Sequence, residues 1–163
     1  MNTFVAKPPS EFSTAEIEDF ISFVLASGEV TPNGLREQVT KAECLAFLRR
    51  DKCLVGVAGL KNPRSSYRTK VQNSSHIKLS TAAFPFELGW VFILPSARGA
   101  KLSLPLCQPV VEAAGSAGVF ATSRAGNSGM QTTLKKLGFQ HSGAEWKSKQ
   151  NPENLMLFIR NDA

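Results

Sequence analysis

One segment, residues 87–103, constrains this chain more than any other. An apolar run ends at Pro95, and a short turn that contains Arg98, Gly99 and Lys101 leads directly into a helical pattern. The first N–H groups of a helix lack intrahelical acceptors and lie at the positive end of the helix dipole, so they attract anions. Small residues let that backbone approach a phosphate closely, and basic residues add charge. The segment therefore predicts a diphosphate site, although a strand-turn-helix with one glycine is also typical of an ordinary connection.

A second strand-turn-helix segment follows the first. A buried strand is predicted over residues 119–122, and a turn of small residues then leads to a helix over residues 127–137 that begins with Asn127. Gly138 is placed to end that helix, because glycine readily adopts the left-handed conformation found at helix ends. Phe139 begins the next predicted strand.

The first third of the chain carries clear local signals. Ser13 and Glu16 have the spacing of a capping box, which predicts the start of a helix. The Thr-Pro pair that ends at Pro32 resembles a second helix start, with proline at the first helical position. Two short apolar runs, residues 44–48 and 53–60, flank a charged turn and predict an antiparallel hairpin.

The predicted elements follow the order strand, two helices, three strands, helix, strand, helix and two strands. The polar segment 61–85, between the third and fourth strands, is longer than a connection usually needs, and a brief helix is predicted within it from Ser65 to Gln72. A helix is predicted over residues 102–117, although Pro105 lies in its first turn. Because no linker divides the pattern, we predict a single mixed α/β domain over residues 1–163.

Composition narrows the class of protein. The chain has 163 residues, of which 42% are hydrophobic, and a formal charge of +6. These values are those of a globular protein rather than of a disordered chain or a fibre. The charge permits an acidic partner such as nucleic acid, a phosphorylated cofactor or a membrane surface, and does not choose among them.

Cysteine and histidine usage indicates the compartment. Cys44, Cys53 and Cys107 are an odd number at wide spacings, which fits neither a disulfide framework nor a zinc site. Each lies in an apolar stretch, so we expect buried thiols. His76 and His141 are far apart and predict no metal site. No apolar run is long enough for a signal peptide or a membrane span, so we expect a cytoplasmic protein without a membrane partner.

The two strand-turn-helix segments together resemble the cofactor site of the GNAT family of N-acetyltransferases. The first signature of that family is Arg or Gln, two residues, Gly, one residue, then Gly or Ala after its fourth strand, where this chain has Arg98. The second is an Asn that opens a helix ending in a Lys-x-Gly-Phe-like phrase, as Asn127 and Gly138-Phe139 do here. The resemblance covers nearly the whole chain. It implies an α/β fold with a central, mostly antiparallel sheet that is splayed between its fourth and fifth strands and flanked by about four helices.

The chain departs from the family pattern at three positions. Lys101 and Ser103 stand where the family usually has its two glycines, although the backbone amides of the turn remain. Leu134 stands where the family often has a tyrosine that protonates the departing thiolate. The one tyrosine of this chain, Tyr67, lies in the polar segment 61–85.

The resemblance implies transfer of an acetyl group from acetyl-CoA, a co-substrate, to a primary amine by direct attack in a ternary complex. The strand would present backbone groups to the pantetheine arm, with an N–H near Ile93 polarising the thioester carbonyl. The turn would hold the pyrophosphate, and Asn127 would reach the pantetheine or thiol end. The implied cofactor-binding residues are Val91, Phe92, Ile93, Arg98, Gly99, Ala100, Lys101, Leu102, Ser103 and Asn127.

Two residues are candidates for the proton transfers. A carboxylate at the start of the fourth strand is a usual base in this family, and Glu87 stands there as the one acidic residue between Asp51 and Glu112. Burial beside aromatic residues would raise its pKa toward a useful value; the alternative is a solvated strand-end charge. Tyr67 is the candidate acid; the alternative is a packing anchor.

The sequence defines the acceptor of the acetyl group less well than it defines the cofactor site. The polar segment contains Lys61, Arg64, Arg68, Lys70 and Lys78 without an acidic residue, which favours an acidic acceptor, a nucleic-acid surface or simply a solvated loop. The expected partners are a small-molecule or protein amine and a second copy of the chain in a homodimer. Two alternatives stay open: an acyltransferase directed at nucleic acid or aminoacyl-tRNA, and an acyl-CoA-binding sensor that has lost catalysis.

Overall fold

A computed structural model of the chain describes residues 1–99, 101–149 and 152–161. Its strands are β1 (Asn2–Lys7), β2 (Cys44–Arg50), β3 (Cys53–Lys61), β4 (Phe86–Ile93), β5 (Val119–Arg124), β6 (Gln140–Lys147) and β7 (Asn154–Arg160). Its α-helices are α1 (Thr14–Ala26), α2 (Leu35–Thr40), α3 (Ser65–Ser75), α4 (Ser103–Glu112) and α5 (Ser128–Lys136). Within these described ranges no helix combines the length and apolar character needed to cross a membrane.

The seven strands form a mixed sheet in the order β1-β2-β3-β4-β5-β7-β6. The pairs β1–β2, β2–β3, β5–β7 and β6–β7 are antiparallel. In contrast, β4 and β5 run parallel, with Phe86 opposite Val119 and Glu87 opposite Phe120. This confirms the predicted mixed α/β sheet. The described residues contain five α-helices where about four were predicted, because the polar segment between β3 and β4 folds into a full helix, α3.

The chain divides into two compact units. Unit 1 comprises Met1–Asn62 and Leu88–Ala113, and unit 2 comprises Pro63–Glu87 and Ala114–Ala163. Strand β4 therefore gives its first two residues to unit 2 and the rest to unit 1. One domain over residues 1–163 stays a prediction.

The core of unit 1 is aromatic. Phe20 and Phe47 are fully buried, and Phe12 stacks on Phe47 with ring centroids 4.4 Å apart. Helix α1 supplies one apolar face to this core, and Val39 of α2 joins it. Helix α4 packs against β1, β2 and β3 in the same unit.

Unit 2 has a smaller core, in which α3 packs against β6 and β7. Its fully or almost fully buried apolar residues include Val71 of α3, Leu79, Phe120 of β5 and Leu157 of β7. Tyr67 and Trp146 pack at the edge of this cluster. Helix α3 has a mostly polar sequence, so it depends on these few inward side chains and on the hydrogen bonds described below.

Local sequence signals explain most of the element boundaries. The capping box is confirmed, since the Ser13 side chain accepts from the Glu16 N–H at 3.1 Å and the Ser13 N–H donates to the Glu16 carboxylate at 2.9 Å. The hairpin is also confirmed, and its turn is the pair Asp51 and Lys52, both with positive φ, as two-residue hairpin turns often require. The predicted start of α2 at Pro32 is wrong, because left-handed Gly34 occupies the position before the helix.

Helix α4 starts at Ser103 despite Pro105, because residues in the first turn of a helix have no intrahelical acceptor for their N–H groups. It ends at Glu112, which is five residues before the predicted end at residue 117.

The three cysteines, all in unit 1, differ in exposure. Cys44 and Cys107 are buried as expected, but the expectation is wrong for Cys53, which is exposed. Cys53 is the first residue of β3 and directly follows the hairpin turn, where the strand has not yet entered the core. Burial raises the pKa of the Cys44 thiol to about 11 and that of the Cys107 thiol to about 12.

We expect one thiol to react quickly in the folded protein and all three after unfolding. At about pH 8 a thiol with a pKa near 11 is a thiolate in roughly one molecule in a thousand, and the thiolate is the reactive form. The measurement is the number of thiols that an aromatic disulfide reagent titrates with and without denaturant. The matched control is Cys53→Ser, in which the fast reaction should disappear; a fast reaction that survives this substitution would contradict the assignment.

Candidate active site

The structure brings together the two residues predicted to be catalytic. Tyr67, in the first turn of α3, donates a hydrogen bond of 2.9 Å from its hydroxyl to Oε2 of Glu87, which is the second residue of β4. Both belong to unit 2, and the Glu87 side chain is 3% exposed. Glu87 is thus a buried carboxylate with a phenol as a partner, and not a solvated strand-end charge.

Thr122 of β5 adds a third member to this group. Its side chain hydrogen-bonds to Tyr67, which therefore stands between the threonine hydroxyl and the Glu87 carboxylate. Burial of the phenol, followed by the nearby negative charge of Glu87, raises the pKa of Tyr67 well above its usual value, and the hydrogen bond from Thr122 opposes this shift only in part. Tyr67 therefore remains a neutral phenol at physiological pH. No sequence signal marks Thr122, since a threonine in a strand is ordinary.

Arg68 holds this group in place. Its guanidinium donates hydrogen bonds to three backbone carbonyls, of Leu79 at 3.0 Å, Phe84 at 2.6 Å and Pro85 at 3.3 Å. It also lies over the ring of Phe120, 5.6 Å from the centroid. Arg68 therefore ties α3 to the chain that leads into β4, and is not the solvated or acceptor-facing charge that its basic segment predicts.

The predicted phosphate turn lies in unit 1, between β4 and α4. Gly99 has a φ of 86° and Lys101 a φ of 57°, and both residues are exposed. A Cβ built at Gly99 would meet nothing within 4 Å, so its backbone is open to the surroundings. Leu102 precedes α4 without capping it by a side-chain hydrogen bond. Ala100, also predicted to bind the cofactor, lies outside the described residues.

Arg98 is held against the end of β4. Its Nε donates to the carbonyl of Ile93 at 2.7 Å, and its guanidinium lies 5.5 Å from the centre of the Phe92 ring. The arginine is nevertheless exposed. Leu94, which follows Ile93, donates its N–H to the carbonyl of Val55 at 2.8 Å and so fixes the end of β4 on β3.

Strand β4 is irregular just before the three residues predicted to bind the pantetheine arm. Trp90 has a φ of 56°, a left-handed conformation that bulky residues rarely adopt. Its ring occupies space that Gly59 leaves, since a Cβ at Gly59 would lie 2.7 Å from the indole. Such strain persists only where the surroundings enforce it, and it is concentrated at functional sites. Val91, Phe92 and Ile93 follow this residue and are partly buried.

The second predicted strand-turn-helix lies in unit 2 and is confirmed as β5, a turn and α5. The Asn127 side chain accepts a hydrogen bond of 3.1 Å from the N–H of Met130 and so caps α5. Its predicted contact with the pantetheine or thiol end stays a prediction. Leu134, which stands where the family often has tyrosine, is fully buried in α5.

Solved structures share this fold over nearly its whole length. ElaA from Escherichia coli is 15% identical over 99% of this chain and 100% of its own, with a TM-score of 0.68. A GNAT-family acetyltransferase from Streptococcus agalactiae is 13% identical over 98% and 96%, with a TM-score of 0.66. The protein yncA from Salmonella typhimurium, solved with its cofactor acetyl-CoA, is 15% identical over 100% and 95%, with a TM-score of 0.65. No protein-family model and no curated protein matches the sequence.

The raised pKa of Tyr67 predicts a pH-dependent contribution to stability. The unfolded chain loses the phenol proton near pH 10, whereas the folded chain retains it. The stabilisation is therefore complete below about pH 10 and is lost as the pH rises from there toward the folded-state pKa. We expect Tyr67→Phe to lower the free energy of unfolding at neutral pH by about 1–3 kcal/mol, because Glu87 loses a donor, and the difference from wild type to shrink above about pH 10.

The chain offers a direct measurement, because Tyr67 is its one tyrosine. Tyrosinate absorbance reports this residue alone. We expect the native protein to show no tyrosinate at about pH 10, and the denatured protein to titrate there. Native titration at the ordinary value would mean that Tyr67 is not buried beside Glu87.

Proposed function

We propose that this chain, which has the fold of the GNAT N-acetyltransferases, transfers an acetyl group from acetyl-CoA to a primary amine of a small molecule or protein. The observation that carries the proposal is the buried Tyr67–Glu87 hydrogen bond, which gives this fold a proton-transfer pair. The bound acetyl-CoA of the neighbour yncA supports the choice of donor.

The turn before α4 fits the diphosphate of that donor. Gly99 exposes its backbone, Arg98 and Lys101 carry positive charge, and the start of α4 has no side-chain cap from Leu102. We assign the diphosphate to the amides of Gly99 and of residues 101–103, with the two basic side chains. When bound, acetyl-CoA supplies a thioester carbonyl that an amine can attack. The N–H near Ile93 is our candidate donor to that carbonyl, as an oxyanion-type contact.

Glu87 is the terminal base in this proposal, and Tyr67 relays the proton. Because the pKa of Tyr67 is raised, a lasting phenolate is unfavourable, so the two transfers are concerted. As the amine N–H bond breaks, the proton bonds to the Tyr67 oxygen, while the original phenol proton passes to Oε2 of Glu87. The reverse relay returns a proton through Tyr67 to the leaving sulfur. The phenol thereby serves as the general acid that Leu134 cannot provide.

A double-mutant cycle tests the relay. We expect Glu87→Gln and Tyr67→Phe each to lower kcat by about 100-fold, and the double variant to lose no more than either alone, because the two residues act as a unit. The measurement is free thiol released from acetyl-CoA with a panel of small-molecule and peptide amines. The matched control is Glu145→Gln, an exposed acid in the same unit, which should keep the wild-type rate.

Three results would overturn parts of the proposal. A full rate in Glu87→Gln would remove Glu87 as the base. A full rate in Tyr67→Phe would leave Glu87 to take the proton directly and would remove the relay. Binding of CoA by the wild type without thiol release for any amine would favour the non-catalytic sensor.

The phosphate turn is tested by binding alone. We expect Lys101→Gln to weaken CoA binding about tenfold in calorimetry, since a charge-assisted contact contributes about 1.5–3 kcal/mol when buried and less when exposed. Acetyl-pantetheine, which lacks the diphosphate, should bind both proteins equally. Lys52→Gln is the matched control, because Lys52 is also exposed, in unit 1 and at positive φ. An equal loss for acetyl-pantetheine would contradict the assignment of Lys101 to the diphosphate.

A further inference from the structure

The two units differ sharply in charge. Unit 1 contains nine lysines and arginines and nine acidic residues, so its formal charge is zero. Unit 2 contains ten lysines and arginines and four acidic residues, so it carries the whole formal charge of +6. Such an asymmetry in charge between parts of a chain indicates a polyanionic partner. The net charge of the whole chain does not show it.

The basic residues of unit 2 fall into two groups. Three arginines are partly buried and bonded within the unit: Arg68 to backbone carbonyls, Arg124 to Glu153 at 3.7 Å, and Arg160 to the carbonyl of Leu137 at 3.0 Å. All six lysines of the unit and Arg64 are exposed. The excess charge is therefore on the surface.

Acidic residues do little to offset this charge. Glu87 is buried, and Glu153 pairs with Arg124. Glu145 is the one exposed acidic residue in the described part of unit 2, and Asp162 lies outside it. The described part of unit 2 therefore has seven exposed cations and one exposed anion. In the described part of unit 1 the balance is the reverse, with five exposed cations and eight exposed anions.

The character of the surface indicates which polyanion it fits. The exposed large hydrophobic side chains of the described residues, such as Phe4 and Leu25, all lie in unit 1, so the described part of unit 2 exposes no large apolar side chain that could anchor it in a membrane. Helix α3 instead exposes Ser66, Thr69 and Asn73 beside Lys70, and hydroxyl, amide and ammonium groups are donors to phosphate oxygens. Phe84 and Phe120 are buried in the core of unit 2, and Tyr67 and Trp146 pack against it, so these four rings are not available to stack on bases.

We propose that the exposed basic surface of unit 2 binds nucleic acid through its phosphate backbone, without reading base sequence. This goes beyond acetyl transfer and does not depend on it. Lysine is a strongly hydrated point charge on a flexible stem, which suits loose contacts with phosphates and not a fixed pattern of base contacts. Binding of this kind is driven by counterion release and is therefore steeply salt-dependent.

The test measures binding of the full chain to a ~20-nucleotide single-stranded RNA and to duplex DNA of the same sequence. We expect a Kd on the order of 1 µM at about 50 mM salt. On going to about 200 mM, contact with roughly four phosphates implies a loss of about 50-fold for the single-stranded RNA and about 150-fold for the duplex. Scrambled sequences should bind within about twofold of one another. A strong preference for one sequence, or the absence of binding at low salt, would overturn the proposal.

Matched triple variants separate the surface from the net charge. Lys70→Gln, Lys78→Gln and Lys147→Gln neutralise three exposed lysines of unit 2. We expect them together to weaken binding at least tenfold and to flatten the salt dependence, since about three fewer phosphates are contacted. All three sites are exposed, so folding is checked simply by equal unfolding midpoints.

The control variant makes the same change of charge in unit 1, with Arg36→Gln, Lys41→Gln and Lys52→Gln, all exposed. It should bind within about twofold of wild type. Equal losses of affinity in the two triple variants would mean that binding follows net charge alone, and would overturn the assignment of binding to the surface of unit 2. A poly-glutamate peptide that binds as tightly as RNA, or tighter binding to anionic lipid vesicles, would overturn the choice of nucleic acid. None of these results depends on whether an amine is acetylated.

Discussion

The bonds from the Arg68 guanidinium to three backbone carbonyls are the interaction on which unit 2 depends most. The chain between α3 and β4 has little regular structure, and these bonds fix its path up to Pro85. The next two residues, Phe86 and Glu87, pair in parallel with β5. Each carbonyl left without a donor in a buried setting costs about 1–3 kcal/mol, against a total stability of about 5–15 kcal/mol for a typical domain. One side chain therefore fixes where β4 begins, and with it where Glu87 lies.

The Arg68 guanidinium also helps to stabilise the buried carboxylate of Glu87. A charge removed from water is costly unless it is hydrogen-bonded or paired. The Glu87 carboxylate accepts a hydrogen bond from the Tyr67 hydroxyl and interacts electrostatically with the positive charge of Arg68. Since Tyr67 and Arg68 are neighbours in α3, a single turn of helix supplies both the donor and the compensating charge. The polar helix that looks like an expanded connection in the sequence is thus the element that completes the candidate site.

Local signals were enough to predict most elements. The capping box at Ser13, the hairpin and the Asn127 cap on α5 each depend on residues a few positions apart, so they can be read from one stretch of chain. The resemblance to the GNAT family also makes Glu87 and Tyr67 candidates, because that family often uses a base at the start of its fourth strand and a tyrosine as the acid, and Tyr67 is the one tyrosine of this chain. Their contact was not predictable, because it spans 20 residues and requires the first turn of α3 to lie against the start of β4. Thr122 and the left-handed Trp90 depend in the same way on tertiary packing that overrides local preference.

The division of the basic residues has a physical basis that the net charge conceals. In unit 2 the three partly buried cations are all arginines, and the six lysines are all exposed. A guanidinium has a planar array of five donors that can satisfy several fixed acceptors at once. An ammonium is more strongly hydrated, so it loses more hydration free energy when it is buried. Residue type therefore separates the partly buried cations that build the fold from the exposed lysines; Arg64 is an exposed arginine. In unit 1 acidic residues balance even the basic residues of the phosphate turn, so a phosphate-bearing donor and a polyanion would be attracted by separate sets of charges.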